Sequence, residues 1–272
     1  MKKKLKIYLP FTRAGIQRMM AYRMNFSLFF IGESLYCFVM YFLWQAIFNA
    51  NHTERFMGFT RLEMVLFVFL SNIITFLVNS DMMEDLGTEI KDGSIIMRMI
   101  KPINLDFSFL FMELGTKIVI LIGIGLPIVL GLEIYRYCMT GCILFDIGRF
   151  LLFLLSTILG YWISFYLNLC FGFMAFFFNN IWGFSMLKKA LLTFLTGSMI
   201  PIAFMPALLQ KVLNLLPFAS MSYTPVMIYI GKYDRLQILQ SIGLQLIWVI
   251  LIYGLSRAIW KIATNHLTVQ GG

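Results

Sequence analysis

The sequence predicts an all-α integral membrane protein, and three observations lead to that prediction. Hydrophobic residues make up 60% of the 272 positions and charged residues only 13%, against about 45–50% and about 25% in soluble domains. The apolar residues fall into long runs, and about 20 of them in succession form a helix that crosses the hydrocarbon core of a bilayer. The charged residues collect between those runs, as expected of loops on either side of a membrane.

The excess of basic residues, which gives a net charge of +9, indicates loops held on the cytoplasmic side and not a nucleic-acid partner. The four cysteines show neither CxxC spacing nor a nearby histidine cluster, so the sequence predicts no metal site. Membrane lipid is therefore the expected surrounding of most of the chain.

The first 26 residues are predicted to form a cytoplasmic amphipathic helix. They carry seven basic residues and no acidic one, which holds this end of the chain in the cytoplasm. Apolar and basic residues alternate from Leu9 to Met24, a pattern typical of a helix on the inner membrane surface. The next apolar run is too long for a signal-peptide core and has no small-residue cleavage site, so we predict a membrane span there.

Six membrane spans are predicted within one transmembrane domain that covers residues 1–272. They are Ser27–Phe48, Leu62–Asn79, Ser108–Leu130, Phe150–Gly172, Ala190–Met205 and Ile238–Ala258. An even number places both termini in the cytoplasm. With that arrangement the cytoplasmic side carries twice as many Lys and Arg residues as the outer side, which is the expected bias.

Residues 206–236 are predicted to form a re-entrant or interfacial hairpin on the outer side, between the fifth and sixth spans. Pro201 and Pro206 end the fifth span early because proline breaks a helix interior. The chain stays apolar afterwards but is interrupted again at Pro217 and Pro225. Non-helical backbone at membrane depth has to be covered by protein or to line a water-filled cavity.

Three ionisable residues lie inside predicted spans, where charges are costly and each is a functional hypothesis. Glu33 lies in the first span, and Glu113 and Lys117 lie in the third at the spacing that places two side chains on one helix face. One interpretation is that Glu113 and Lys117 neutralise each other at a helix contact. The other is that all three line a translocation pathway.

The sequence predicts no catalytic residue, no metal ligand and no cofactor-binding residue. It contains no HExxH, no GxSxG and no GxxxxGK[ST], the motifs of metalloproteases, serine hydrolases and phosphate-binding loops. If transport is driven by ATP, ATP and Mg²⁺ bind to another chain. Two alternatives stay open, which are a membrane-embedded enzyme acting on lipid through Glu33 and Glu113, and a membrane partner that does not transport.

The second cytoplasmic loop, residues 80–107, is predicted to be a short amphipathic helix followed by a turn at Asp92 and Gly93. It is unusually acidic for a cytoplasmic loop. After the turn, Ile95, Ile96 and Met99 would be poorly placed in water without something to cover them. The loop is therefore either a solvated connector or a docking surface.

Two stretches resemble the ATP-binding-cassette (ABC) type 2 permeases, and the resemblance extends over nearly the whole chain. The first is Gly93-Ser-Ile-Ile-Met-Arg-Met-Ile-Lys-Pro102, which is similar to the family's segment after the second span. The second is Thr196-Gly-Ser-Met-Ile-Pro201 with Leu216-Pro217-Phe218 and Tyr223-Thr-Pro225, which is similar to the fifth span and re-entrant segment. The acidity of the second loop departs from the family pattern.

The resemblance implies an ATP-driven transporter in the plasma membrane, most often an exporter and of bacterial type, with import as the alternative. Two six-span permeases, similar or identical and often unlike, would stand side by side with the substrate passing between them. Cytoplasmic ABC ATPase subunits would bind the interface helix Phe11–Arg23 and the coupling loop. The coupling residues implied are Glu89, Gly93, Ile95, Ile96 and Met99.

Overall fold

Long apolar helices dominate the structure, as the composition predicts. The computed structural model describes residues 6–142, 145–177 and 181–264, and 83% of these residues are helical. Within these ranges, five helical segments are long and apolar enough to cross a membrane, which confirms an all-α membrane protein. They are Phe30–Asn51, Arg61–Lys91, Leu105–Thr140, Ile147–Phe176 and Arg235–Thr264.

The elements follow one another in a simple order. The first half contains α1 (Leu9–Ala21), α2 (Arg23–Asn51), the antiparallel pair β1 (Arg55–Phe56) and β2 (Phe59–Thr60), α3 (Arg61–Val78), α4 (Met82–Lys91), α5 (Ile95–Met99) and α6 (Leu105–Ile120). The second half contains a π-helical turn (Leu121–Gly125), α7 (Leu126–Thr140), α8 (Ile147–Phe173), a 3-10 turn (Met174–Phe176), α9 (Ile181–Leu195), a 3-10 turn (Ile202–Phe204), α10 (Ala207–Leu215), α11 (Pro217–Met221), α12 (Tyr223–Ile230) and α13 (Arg235–Thr264).

Two ion pairs define the two ends of the helix bundle. Lys232 binds Glu63 at 2.6 Å beside the short β-hairpin, and Arg257 binds Asp106 at 2.9 Å beside the first turn of α6. The β-hairpin end therefore holds the beginnings of α3 and α13, and the α1 end holds the beginning of α6 and the last turns of α13. The helices α3 and α6 thus run in opposite directions, whereas α8 and α13 run in the same direction, because Arg149 lies beside Gly231 and the Phe173 ring packs on Trp260.

The second span shows how a local signal fixes a helix boundary. It is predicted at Leu62–Asn79 and the structure has α3 at Arg61–Val78. The Thr60 hydroxyl accepts a hydrogen bond from the Glu63 N–H at 3.3 Å, and the Glu63 carboxylate accepts one from the Thr60 N–H at 2.8 Å. This reciprocal capping box satisfies two of the donors that a helix N-terminus leaves unpaired.

The third span is longer than predicted, because the helix continues past Leu130 to Thr140. Pro127 lies in the second position of α7, directly after the π-helical turn. A widened turn removes the need for the N–H that proline lacks, so the helix is not broken there. On α7, Glu133 forms an ion pair with Arg136 at 3.3 Å and accepts a hydrogen bond from the Tyr229 hydroxyl.

The predicted bounds of the fifth span, Ala190–Met205, are wrong. The structure has the 15-residue helix α9 at Ile181–Leu195, followed by a turn in which Gly197 takes a positive φ of +67°. The helix includes Lys188 and Lys189, which are expected in a loop and which bind Asn168 and Glu84. Since α9 is not among the five long apolar segments, the six-span count stays a prediction.

Residues 206–236 fold into a hairpin that enters the bundle and returns to the same end. The ring of Phe204, just before it, packs on Phe59 at the β-hairpin end with centroids 5.4 Å apart. The hairpin then reaches the middle of α8, where a Cβ added to Gly160 would lie 3.0 Å from the Ser220 carbonyl oxygen. That carbonyl accepts a hydrogen bond from the Gln245 side-chain amide at 2.8 Å, so backbone between two short helices is satisfied at depth.

Candidate functional site

Helix α1 crosses α6 in direct backbone contact, at a glycine on each helix. A Cβ added to Gly15 would lie far inside van der Waals contact with the Met112 carbonyl oxygen, and one added to Gly115 would do the same with the Thr12 carbonyl oxygen. Two helices approach this closely only where small residues face each other. The predicted amphipathic helix is therefore anchored on the bundle in addition to presenting an apolar and basic surface.

Of the six acidic residues of the 80–107 loop, all but Asp92 are paired with a basic residue among those that the structure describes. Asp85 accepts two hydrogen bonds from the Arg18 guanidinium at 2.7 and 3.0 Å, and Glu84 binds Lys189 at 2.8 Å. These contacts join α4 to α1 and to α9. The acidity that departs from the family pattern is thus explained by internal ion pairs.

Arg98, on α5, joins this helix to two others, α4 and α6, at the same end. Its guanidinium donates to both carboxylate oxygens of Glu89, at 2.6 and 2.7 Å, and to the Ser108 hydroxyl at 3.2 Å. It also lies over the Phe109 ring, 4.2 Å from its centroid. Planar bidentate pairing and ring stacking are properties of arginine that lysine does not share. The sequence gives Arg98 only as a charge beside an apolar cluster, so this role was missed.

The turn between α4 and α5 has the predicted position. Gly93 takes a φ of +77°, a left-handed conformation that glycine adopts without the steric cost of a side chain. Ser94 donates its hydroxyl at 2.6 Å and its backbone N–H at 2.9 Å to Asp92. These hydrogen bonds, the hydroxyl first, lower the pKa of the Asp92 carboxyl. The turn thereby sets the direction in which α5 leaves α4.

The structure divides the predicted coupling residues into buried and exposed ones. Ile95 is 1% exposed and belongs to the core, so it is not part of an accessible surface, and Glu89 is held by Arg98. The apolar side chains that remain uncovered form what we call the α5 surface. Its members are Ile96, Met97, Met99 and Ile100.

A charged cavity of about 760 Å³ opens beside the α1–α6 crossing and contains two of the three predicted pathway residues. Its charged lining consists of Arg18, Asp81, Asp85, Glu113, Lys117 and Lys189. Both signs of charge are present in equal number. A polar solute or water fits such a lining, and lipid tails do not.

Glu113 and Lys117 share this cavity, but no ion pair joins them in the part of the chain that the structure describes. Glu113 accepts hydrogen bonds from the Ser80 hydroxyl at 2.5 Å and the Tyr161 hydroxyl at 2.9 Å. Lys117 donates to the carbonyl oxygen of Phe76 at 2.8 Å and to that of Asn79, and so caps the last turn of α3. The two side chains therefore form no direct ion pair, and the interpretation that they neutralise each other stays a prediction.

Glu33 lies apart from the other two, on the face formed by α2, α3 and α9. Its carboxylate accepts a hydrogen bond from the Asn72 side-chain amide at 3.0 Å. Both residues line a cavity of about 620 Å³ and a smaller one of about 270 Å³. Each predicted pathway residue thus lines a cavity, but Glu33 lines different cavities from Glu113 and Lys117.

A series of cavities connects these two places. A cavity of about 210 Å³ shares Asn79, Asp81 and Lys189 with the charged cavity. It also shares Thr75, Thr193 and Ser198 with the 270 Å³ cavity that Glu33 lines. We call this set the polar strip, and its members are Glu33, Asn72, Thr75, Asn79, Asp81, Lys189, Thr193 and Ser198.

Over residues 6–142, 145–177 and 181–264, no group of three or more His, Cys, Asp or Glu side chains is arranged to hold a metal ion. The polar strip offers a ligand charged groups, side-chain amides and hydroxyls.

Comparison with known proteins agrees with this architecture. The model of a family described as ABC-2 family transporter protein matches residues 34–271, and a search of curated proteins gave no match. The matched region contains α3 to α13, with the α5 surface, the 206–236 hairpin and the charged lining of the cavity except Arg18. The chain therefore belongs to the ABC-2 family of transporter membrane proteins.

Proposed function

We propose that this permease is the membrane subunit of an ATP-driven exporter whose ATPase is a separate cytoplasmic chain. The observation that carries the proposal is the α5 surface, which leaves four large apolar side chains uncovered beyond the last turn of α4. Apolar side chains grouped in this way indicate a partner-binding site. An ABC ATPase, which would hold ATP and Mg²⁺, is the partner that the family membership favours.

The contacts around α5 suit transmission of a rigid-body movement. Three ion pairs fix α4 and α5 to each other and to helices α1 and α9. They are Arg18–Asp85, Lys189–Glu84 and Arg98–Glu89. A push on the α5 surface therefore displaces those helices together. Such a displacement changes the width of the polar strip, because Lys189, which binds Glu84, lines the strip together with Asp81.

A second permease, similar or identical, is proposed to cover the face of α2, α3 and α9. The polar strip opens on this face, and its charged and amide groups are too costly to leave against lipid tails. A homodimer or an unlike pair would enclose the strip and form a pathway between the two subunits. Glu33, Glu113 and Lys117 would then lie along or beside that pathway.

The α1 end is proposed to face the cytoplasm of a bacterial cell, with the protein in the plasma membrane. Arg18, Arg98 and Arg257 lie at this end, and a basic excess is typical of cytoplasmic loops. The re-entrant hairpin would then lie on the outer side. Import by the same architecture is the alternative, and ATP-dependent accumulation in inside-out vesicles distinguishes export from it.

An enzyme acting on lipid is less favoured. Glu33 and Glu113, the two carboxylates that motivated it, line different cavities. General acid–base chemistry needs both groups within hydrogen-bond reach of one substrate.

The proposal predicts that a charge on the α5 surface releases the ATPase. In Met97→Asp, a carboxylate replaces a side chain that is 66% exposed, and we expect at least a tenfold loss of ATPase co-purifying with the tagged chain in mild detergent. Met57→Asp is the matched control, since Met57 is 58% exposed on the β-hairpin and accepts aspartate at its positive φ. Equal ATPase recovery from both variants, or no ATPase from the wild type, would contradict the proposal.

A further inference from the structure

An apolar pocket of about 620 Å³ lies between α2, α3 and the helix that contains the π-helical turn and α7. Aromatic rings form much of its wall. They belong to Phe30, Phe38, Tyr41, Phe42, Phe69 and Tyr135. Small-molecule sites in proteins have this size and this mainly apolar character, with a few polar groups that fix orientation.

The polar groups of this pocket are those of Glu33 and Asn72, with the hydroxyls of Ser34, Tyr41 and Tyr135. The Glu33 carboxylate accepts one hydrogen bond, from Asn72. Among the side chains that the structure describes, no Lys, Arg or His nitrogen lies within 4.0 Å of it. A carboxylate at membrane depth is costly unless a cation is supplied.

We infer that this pocket binds a lipophilic organic cation, with the positive charge at Glu33 and the apolar body against the aromatic rings. Aromatic faces attract a cation that has lost its water, and so add to the attraction of the carboxylate. A neutral or anionic molecule of the same shape gains neither the attraction of the carboxylate nor that of the aromatic faces. The inference rests on the proposed function, because it names the class of substrate that the permease would move along the polar strip.

The size of the pocket favours a compact molecule. A volume of about 620 Å³ holds a molecule with several aromatic rings, whereas a two-chain lipid would leave most of its acyl chains outside. The amine of a lipid headgroup offers the same charge, so the two sources have to be separated by experiment.

The chain offers a pair of glycines for a matched test of the volume. Gly131 lines the pocket, and a Cβ added there meets no atom within 4 Å. Leucine at this position therefore fills the pocket without displacing backbone. Gly32 on α2 has equally open surroundings but does not line the pocket, so Gly32→Leu is the control.

The test is equilibrium binding of tetraphenylphosphonium and of its anionic isostere tetraphenylborate. The protein, purified with whatever chains accompany it, is placed in nanodiscs of phosphatidylcholine without nucleotide. We expect saturable binding of the cation to the wild type and to Gly32→Leu. We expect affinity to fall at least tenfold in Glu33→Gln, which keeps an acceptor for Asn72, and binding to be lost in Gly131→Leu.

Unchanged affinity in Glu33→Gln, while the variant elutes as the wild type does, would overturn the inference, as would equally tight saturable binding of tetraphenylborate. Displacement of the cation when phosphatidylethanolamine enters the nanodisc would assign the pocket to an aminolipid and overturn the small-molecule inference. The measurement needs neither ATP nor an ATPase. A failure here therefore concerns the ligand, and a failure of ATPase co-purification concerns the proposed function.

Discussion

In Gly115→Leu we expect α1 to separate from the bundle and the protein to lose its coupling end. The added side chain would start from a Cβ that overlaps the Thr12 carbonyl oxygen. Backbone on the opposite helix cannot rotate away as a side chain can. The helices must therefore move apart, and every contact of α1 weakens together.

The expected loss exceeds that of an ordinary overpacked core position, which is about 1–3 kcal/mol. Separation of α1 breaks the paired hydrogen bonds between Arg18 and Asp85. It also breaks the hydrogen bond from the Asn104 N–H to the Tyr8 hydroxyl, at 2.9 Å. Asp85 then keeps its charge beside the cavity without its partner.

Limited trypsin digestion measures the separation directly, because α1 contains the cleavage sites Arg13 and Arg18. We expect rapid cleavage within α1 of Gly115→Leu and slow cleavage of the wild type, together with a lower unfolding temperature in detergent. Gly32→Leu makes the same exchange at a helical glycine where an added Cβ meets nothing within 4 Å. If both variants resist trypsin as the wild type does, α1 is not held by this crossing.

How far the sequence predicts the fold depends on whether the decisive signals are local. The second span is predicted within one residue at each end, because its apolar run and its Thr60–Glu63 cap lie next to each other. The fifth span is misplaced because Lys188 and Lys189 look like loop residues. Their partners are Asn168 and Glu84, and hydropathy along the chain carries no information about such distant contacts.

In the candidate site, too, features set by local sequence are predicted and features set by distant contacts are not. The turn at Gly93 and the exposure of Ile96 and Met99 follow from local pattern and are found in the structure. The burial of Ile95 and the direct partners of Glu113 do not follow, because they depend on which helices lie beside α5 and α6. The acidity of the 80–107 loop was visible as an anomaly, and only the fold shows that it serves internal ion pairs.

The second large effect is expected for Arg98→Ala, which removes the side chain that joins α4, α5 and α6. The Arg98 and Glu89 side chains are 18% and 21% exposed, so the pair is largely shielded from water. Removing one partner of such a pair leaves an uncompensated charge and costs about 3 kcal/mol. The contact with the Phe109 ring is lost as well.

The matched variants separate charge from geometry. Arg98→Lys keeps the charge but cannot form two parallel hydrogen bonds with Glu89, so we expect an intermediate loss of thermal stability. In the double variant Arg98→Ala with Glu89→Ala, no unpaired charge remains, and stability should recover in part. Because α5 would no longer be fixed to α4 and α6, we also expect substrate to stop stimulating the ATPase, even in the double variant.

The response of the ATPase to substrate in the double variant tests the coupling role of the Arg98–Glu89 pair separately from its role in folding. A stable double variant that keeps its ATPase but no longer responds to substrate would show that the Arg98–Glu89 pair transmits movement in addition to holding the fold. If the double variant responds as the wild type does, the pair only stabilises the α1 end, and coupling has to be assigned to the ion pairs of Arg18 and Lys189. Thermal unfolding and ATP hydrolysis on the same preparations decide between the two.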